Sequence, residues 1–202
     1  ISRKRMTEEK RDGILGLIKP TTDFADLAGC EMVIEAVFED RAIKADVTAK
    51  TEAVISEDAI FASNTSTLPI TGLAEASSRP ASFIGLHFFS PVDKMPLVEI
   101  IMGEKTGDVA LARAMDFVKR IRKTPVVVND SRGFYTSRVF ATYVAEGLAL
   151  LSEGVKPALI ENAGRMAGMP VGPLALADEV SLTLMQHVAK QTKADLGDKY
   201  QG

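Results

Sequence analysis

The sequence predicts an α/β layer over residues 1–128 followed by an all-helical domain over residues 129–202. Short apolar runs of strand length alternate with helical periodicity up to "TPVVVN" (124–129). From Phe134 onward only helical periodicity remains. The 202 residues, 46% of them hydrophobic, suffice for a sizeable core.

Taken in order, "SRKRMTEEKRDGILGLI" reads as the tail of a surface helix, and "ILGLIKPTTD" as a short strand ending at Pro20. "EMVIEAVF" (31–38) is a nearly continuous apolar run, as a strand buried on both faces requires. Residues 40–55 place Ile43, Val47 and Val54 on one helical face. "AIFASN" (59–64) is another strand, and Pro69 opens a short helix, where its missing N–H costs little. "FIGLHFF" (83–89) and "PLVEIIMG" (96–103) are two more strands. The link from Ser90 to Pro96 is too short for a helical crossover, so these two pair antiparallel. Residues 108–122 repeat Leu111, Ala114, Met115, Val118 and Ile121 on a helix face, and "TPVVVN" is the last strand. In the second domain, "FYTSRVFATYVAEGLALL" predicts a core helix ended by Gly154, and Pro157 opens another that ends at Gly168. "MPVGPLALADEVSL" reads as a turn-rich link into a final helix that contains His187, which is assigned no role.

Composition excludes several classes. A net charge of −3, with 24 basic against 27 acidic side chains, argues against a nucleic-acid partner. The Arg3-Lys4-Arg5 cluster is too short to change that. Cys30 is the single cysteine, which rules out an internal disulfide and reads as a small buried residue beside a strand. No apolar run approaches the ~18 residues of a membrane span, and the polar start lacks the regions of a signal peptide. These features together predict a cytoplasmic protein with no membrane span.

Ligands of an open α/β sheet bind beyond the carboxyl ends of its strands. "VFED", "SNTST" (63–67) and "HFFSP" deliver polar groups there. Histidine titrates near physiological pH, so His87 is the natural proton acceptor. His87 and Glu99 each lie three residues outside the Ser90–Pro96 loop, so a symmetric hairpin makes them cross-strand neighbours. A one-residue slip would separate them onto opposite faces. Alone, such a histidine is most often a satisfied core residue, and such a glutamate usually lies on a solvated face. Facing each other, they make a general base and the carboxylate that fixes its tautomer. "SNTST" by itself reads first as a polar turn capping the following helix. There is no G-x-G-x-x-G and no strand before the first helix, so the chain is expected to begin inside a domain.

"VIEAVFED", "FASNTSTLPI", "GLHFFSPVDKMPLVEI", "DSRGFYTSRV" and "GRMAGMPVGPLALADEVSL" resemble, in order and spacing, the NAD-dependent L-3-hydroxyacyl-CoA dehydrogenases. The opening "IKPTTDFADLAGCEMVIEAVFED" is most similar to the dehydrogenase portion of multifunctional fatty-acid oxidation proteins. The resemblance covers essentially the whole chain. It implies an incomplete Rossmann-like NAD-binding domain lacking its first βα unit, then an all-α C-terminal domain, truncated. It also implies oxidation of a 3-hydroxyacyl-CoA to a 3-ketoacyl-CoA in β-oxidation, with NAD as cofactor. The catalytic histidine falls on His87, its partner on Glu99, and the substrate-binding serine on Ser66. The cofactor contacts fall on Val37, Phe38, Glu39, Lys44, Ser66 and Ser90. Many members carry asparagine where this chain has Ser90, and an active-site asparagine where it has Ser137. A homodimer through the helical domain and a neighbouring enoyl-CoA hydratase domain are further implications.

Two alternatives stand beside this reading. One is a non-catalytic structural or interaction fragment. The other is a different nicotinamide-dependent dehydrogenase acting on free hydroxy acids. Without a glycine-rich turn, the 202-residue chain is expected to bind NAD poorly and to show little activity.

Overall fold

Residues 6–197 are described in a computed structural model. The basic cluster at Arg3–Arg5 lies outside them. The strands are β1 (Met32–Glu35), β2 (Ile60–Ser63), β3 (Phe83–Phe88), β4 (Leu97–Met102) and β5 (Thr124–Asn129). The helices of the first layer are α1 (Glu8–Leu15), α2 (Arg41–Glu52), α3 (Ile70–Leu73) and α4 (Asp108–Arg120). Then follow α5 (Thr136–Ser152), α6 (Pro157–Met166), α7 (Pro173–Val180) and α8 (Leu182–Leu196). His187 falls in α8, but its side chain lies outside the described residues.

The five strands form one sheet in the order β1-β2-β3-β4-β5. β1, β2 and β3 run parallel, β4 turns back antiparallel, and β5 runs parallel to β4. The short Ser90–Pro96 link forces that reversal, as its length predicts.

The period-2 alternation of the strands sorts the two faces. Ile60, Ala62, Ile84, Leu86, Val98 and Ile100 point to one face and pack with Ala110, Ala114 and Val118 of α4. Phe61, Phe83, Ile101, Leu68, Ile70 and Phe134 fill the other, where the Phe61 and Phe83 rings stack at 5.2 Å. Gly85 belongs to this second face. A Cβ there would lie 2.8 Å from both Ile101 Cβ and Ile70 Cδ1, so only glycine lets α3 lie this close to the sheet.

The second face also carries the link between the two layers. After β5, Asp130 accepts hydrogen bonds from Ile70 N (2.9 Å) and Thr71 N (2.8 Å), satisfying the first turn of α3. The chain then doubles back along the sheet through Gly133, whose N–H meets the Thr67 carbonyl at 3.2 Å, and buried Phe134. It enters α5 beside β4.

Several expectations are corrected. "ILGLIKPTTD" is not a strand: Ile14 and Leu15 end α1, residues 16–17 turn, and Leu17 and Ile18 are exposed. With no neighbouring strand to pair with, the segment has no use for its strand propensity. The "MPVGPLALADEVSL" link contains a helix, α7, opened by Pro173. Glu161 Oε1 accepts from Leu174 N at 2.8 Å and Ala175 N at 3.2 Å, a long-range cap that local turn signals hide. In α2 the buried residues are Lys44, Thr48 and Thr51, and Ile43 is exposed. Cys30 is half-buried rather than buried. No described helix is long and apolar enough to cross a membrane.

Candidate active site

Four polar side chains break the apolar pattern of the second face: Glu35, Ser63, His87 and Glu99, all buried. Each sits at or near the sheet edge where β1, β2 and β3 end. Strand register brings them there: Glu35 faces Ser63 across β1 and β2, and His87 faces Glu99 across β3 and β4.

His87 Nδ1 lies 2.7 Å from Glu99 Oε2. The imidazole is walled by Phe89, 4.4 Å between ring centroids, and by Phe134 at 6.0 Å. Its backbone is pinned next door, where Phe88 N donates to Asn64 Oδ1 at 2.8 Å. Because Nδ1 is committed to the carboxylate, Nε2 is the nitrogen left for chemistry.

Glu99 is fully buried and accepts from four donors. Besides His87 these are Tyr135 N (3.1 Å) and Thr136 N (2.8 Å) on Oε1, and Thr136 Oγ1 (2.7 Å) on Oε2. The backbone donors belong to the N-terminus of α5, which favours negative charge. Burial pushes the Glu99 carboxyl up, but the His87 and Thr136 hydrogen bonds outweigh it and hold it below the ordinary glutamate value.

A second polar cluster lies between β1, β2 and α2. Glu35 Oε1 accepts from Lys44 Nζ (2.8 Å) and Val37 N (2.7 Å), and Oε2 from Ser63 Oγ (2.8 Å). Lys44 Nζ also approaches Glu39 Oε2 at 3.5 Å. Glu39 Oε1 in turn gathers the loop after β2: Thr65 Oγ1 (2.6 Å), Ser66 N (3.1 Å), Thr67 N (3.0 Å) and Thr67 Oγ1 (3.1 Å). Burial raises the Glu39 carboxyl, while Thr65, the Lys44 charge and the loop N–H groups lower it further than burial lifts it.

Of the residues singled out from the sequence, His87 and Glu99 are in direct contact. Ser66 is brought to Ser137, whose Oγ donates to the Ser66 carbonyl at 3.3 Å. Glu39 and Lys44 face inward, into the second cluster. Val37 and Phe38 lie on the turn after β1 with Phe38 83% exposed, and Ser90 is exposed just past β3. Sequence reasoning missed Glu35 and Thr136, and it read Ser63, Asn64, Thr65 and Thr67 only as part of the polar "SNTST" turn. Glu35 carried a usable signal, a carboxylate closing an apolar strand nine residues before a lysine. Thr136 carried none. Among the described residues no group of acidic, His and Cys side chains could hold a metal ion.

A family model described as 3-hydroxyacyl-CoA dehydrogenase, NAD binding domain, matches residues 1–131. A second, described as 3-hydroxyacyl-CoA dehydrogenase, C-terminal domain, matches residues 133–202. The fatty acid oxidation complex subunit alpha of Shewanella halifaxensis is 42% identical over 200 residues, 99% of this chain and 28% of that protein. The chain thus spans little more than a quarter of the curated relatives it matches. Among solved structures, Mycobacterium tuberculosis FadB2 is 35% identical with a TM-score of 0.89, over 96% of this chain and 70% of its own. The (S)-3-hydroxybutyryl-CoA dehydrogenase PaaH1 of Ralstonia eutropha is 36% identical with a TM-score of 0.89, over 96% of this chain and 69% of its own.

Proposed function

The chain belongs to the 3-hydroxyacyl-CoA dehydrogenase family, and on that premise we propose that it oxidises a 3-hydroxyacyl-CoA to the 3-ketoacyl-CoA, with NAD as cofactor. The observation that carries this reading is the buried His87 Nδ1–Glu99 Oε2 contact at 2.7 Å. His87 acts as general base through Nε2. Glu99 stays ionised, holds the ring in the tautomer whose Nε2 is unprotonated, and stabilises the imidazolium that forms.

The residues present fit the ring-bearing ends of the dinucleotide. Val37 and Phe38 offer an apolar shelf, 37% and 83% exposed, on the turn after β1. Ser66 and Ser90 supply exposed hydroxyls at the adjacent strand ends. Bound NAD supplies the acceptor for the hydride that leaves C3 of the substrate. The proton of the 3-hydroxyl passes to His87 Nε2, so the alcohol carbon loses one hydride and its oxygen one proton. Ser66, on the loop that Glu39 holds, donates to the substrate oxygen, and Ser137 steadies that loop through the Ser66 carbonyl. Glu39 and Lys44 act by fixing the turn and loop rather than by direct contact.

We further propose a boundary at residues 128–129 between the cofactor-binding and helical domains, and action in the cytoplasm as part of fatty-acid β-oxidation. A neighbouring enoyl-CoA hydratase domain, which the family resemblance implies, is part of the same proposal, and the Shewanella relative is a subunit of a fatty acid oxidation complex. A homodimer is supported by exposed Leu150, Leu151, Leu159 and Met166 on the helical layer.

The test is His87→Gln in the full-length protein, assayed by NADH formation from 3-hydroxybutyryl-CoA. Turnover should fall by roughly 10²–10⁴-fold, the usual contribution of a general base. Native turnover in the variant would refute the assignment. A preference for free 3-hydroxybutyrate over its CoA ester would move the protein to the hydroxy-acid class.

A further inference from the structure

Glu99 Oε2 accepts two short hydrogen bonds, from His87 Nδ1 and from Thr136 Oγ1, both 2.7 Å. We propose that Thr136 is a positioning residue: by sharing that oxygen with His87, its hydroxyl limits how tightly the catalytic histidine holds a proton. The inference rests on the reading of His87 as the base.

The geometry makes the two donors competitors. A carboxylate oxygen that receives a second hydrogen bond has less charge to offer the first. The two backbone donors, Tyr135 N and Thr136 N, sit on Oε1 instead. They hold the carboxylate in place whatever side chain stands at position 136. The Thr136 hydroxyl is therefore the one donor of α5 that a substitution can remove without unfastening Glu99. Without it, the whole of Oε2 turns to the Nδ1–H bond, and the imidazolium is favoured over the neutral base.

Among the described residues, the other charged groups on the elements packed around the pair are ion-paired, hydrogen-bonded or exposed. From the β1–α2 side, Lys44 is balanced by Glu35 and Glu39. On the segment before α5, Asp130 is committed to Ile70 N and Thr71 N, and Arg132 Nε to Thr192 Oγ1. Tyr135, just before α5, and Arg138 within it are exposed. Phe89, just past β3, lies against the imidazole, and Asn64, just past β2, is neutral and accepts from Phe88 N. Glu99 is the charge in direct contact with His87, so what happens at Oε2 is transmitted to the ring.

The experiment compares Thr136→Val, Thr136→Ala and Thr136→Ser with the native full-length protein. The acid limb of kcat/KM should move to higher pH by roughly 0.5–1 unit in the valine and alanine variants, part of a charge-assisted hydrogen bond expressed as a proton affinity. Serine keeps the hydroxyl and should restore the native limb. The His87 ring signal, assigned by its loss in His87→Gln, should titrate with the same displacement by NMR. Superimposable titrations of the valine and native proteins would overturn the proposal, as would a serine variant that shifts like valine. If valine fails to fold, alanine carries the same comparison. The NMR arm needs no turnover. A shifted ring titration in a protein whose His87→Gln variant remains active would leave the Thr136 coupling standing and remove the base assignment.

Discussion

His87 and Glu99 occupy directly facing positions of two antiparallel strands, twelve residues apart in sequence and 2.7 Å apart between Nδ1 and Oε2. The sheet register alone delivers this contact. The carboxylate's charge is then what distinguishes it from any buried hydrogen-bond partner.

Replacing Glu99 by glutamine keeps the volume and removes the charge. The α5 N–H groups would still find an acceptor oxygen, so the fold should survive. The amide would present the wrong partner to Nδ1 or leave the imidazolium without its counter-charge. We expect kcat to fall by roughly 10²–10⁴-fold, as when the carboxylate of a histidine–carboxylate pair is neutralised. Steady-state NADH formation, with circular dichroism to check the fold, measures it.

Glu39 and Glu99 are both held below the ordinary glutamate value in the folded chain. Their unfolded counterparts titrate at about 4.3. A depressed carboxylate adds stability that is fully present above the unfolded value and is lost as pH falls through the folded one. Urea midpoints should therefore hold from neutral pH to about pH 5 and drop below about pH 4. Glu39→Gln should flatten that acid slope. An unchanged slope would mean the loop hydrogen bonds do not favour the ionised form.

Lys44 and Glu35 form a buried pair, their side chains 3% and 1% exposed. Lys44→Met leaves two carboxylates facing each other without a cation. This should cost roughly 3–5 kcal/mol, the range for breaking one partner of a buried pair. The double variant Glu35→Gln with Lys44→Met should recover part of the loss, since it removes the stranded charge. Denaturant midpoints of the two variants give the comparison, and a double variant no better than the single one would show that Glu39 is the carboxylate that matters.

Much of this was legible in the sequence because it is local. β5 was placed at its observed ends by "TPVVVN", and the hairpin was readable because the Ser90–Pro96 loop is short and symmetric. What escaped is non-local. The apolar spacing of residues 40–55 predicts that Ile43, Val47 and Val54 form the buried face of their helix. The structure inverts this, burying Lys44 and exposing Ile43, because two carboxylates from β1 and the following turn lie beneath it. Thr136 sits in a stretch with no polar pattern to single it out, and its partner is 37 residues away. α7 was hidden because Glu161, 13 residues before Leu174, supplies its cap from another helix.

The clamp of α5 on Glu99 also predicts an order of assembly. The hairpin closes over 12 residues and the α5 contact over 37, and shorter closures cost less entropy. A chain that has formed β3 and β4 but not yet seated α5 leaves Glu99 with one of its four donors. Seating α5 supplies the other three, each of which favours the ionised carboxylate. Docking of the helical layer is thus tied to the charge on Glu99, and it should fray first as the solution turns acid. Amide exchange along Tyr135–Val139, followed against pH, would register that opening before the strands lose protection, and simultaneous loss in both would exclude it.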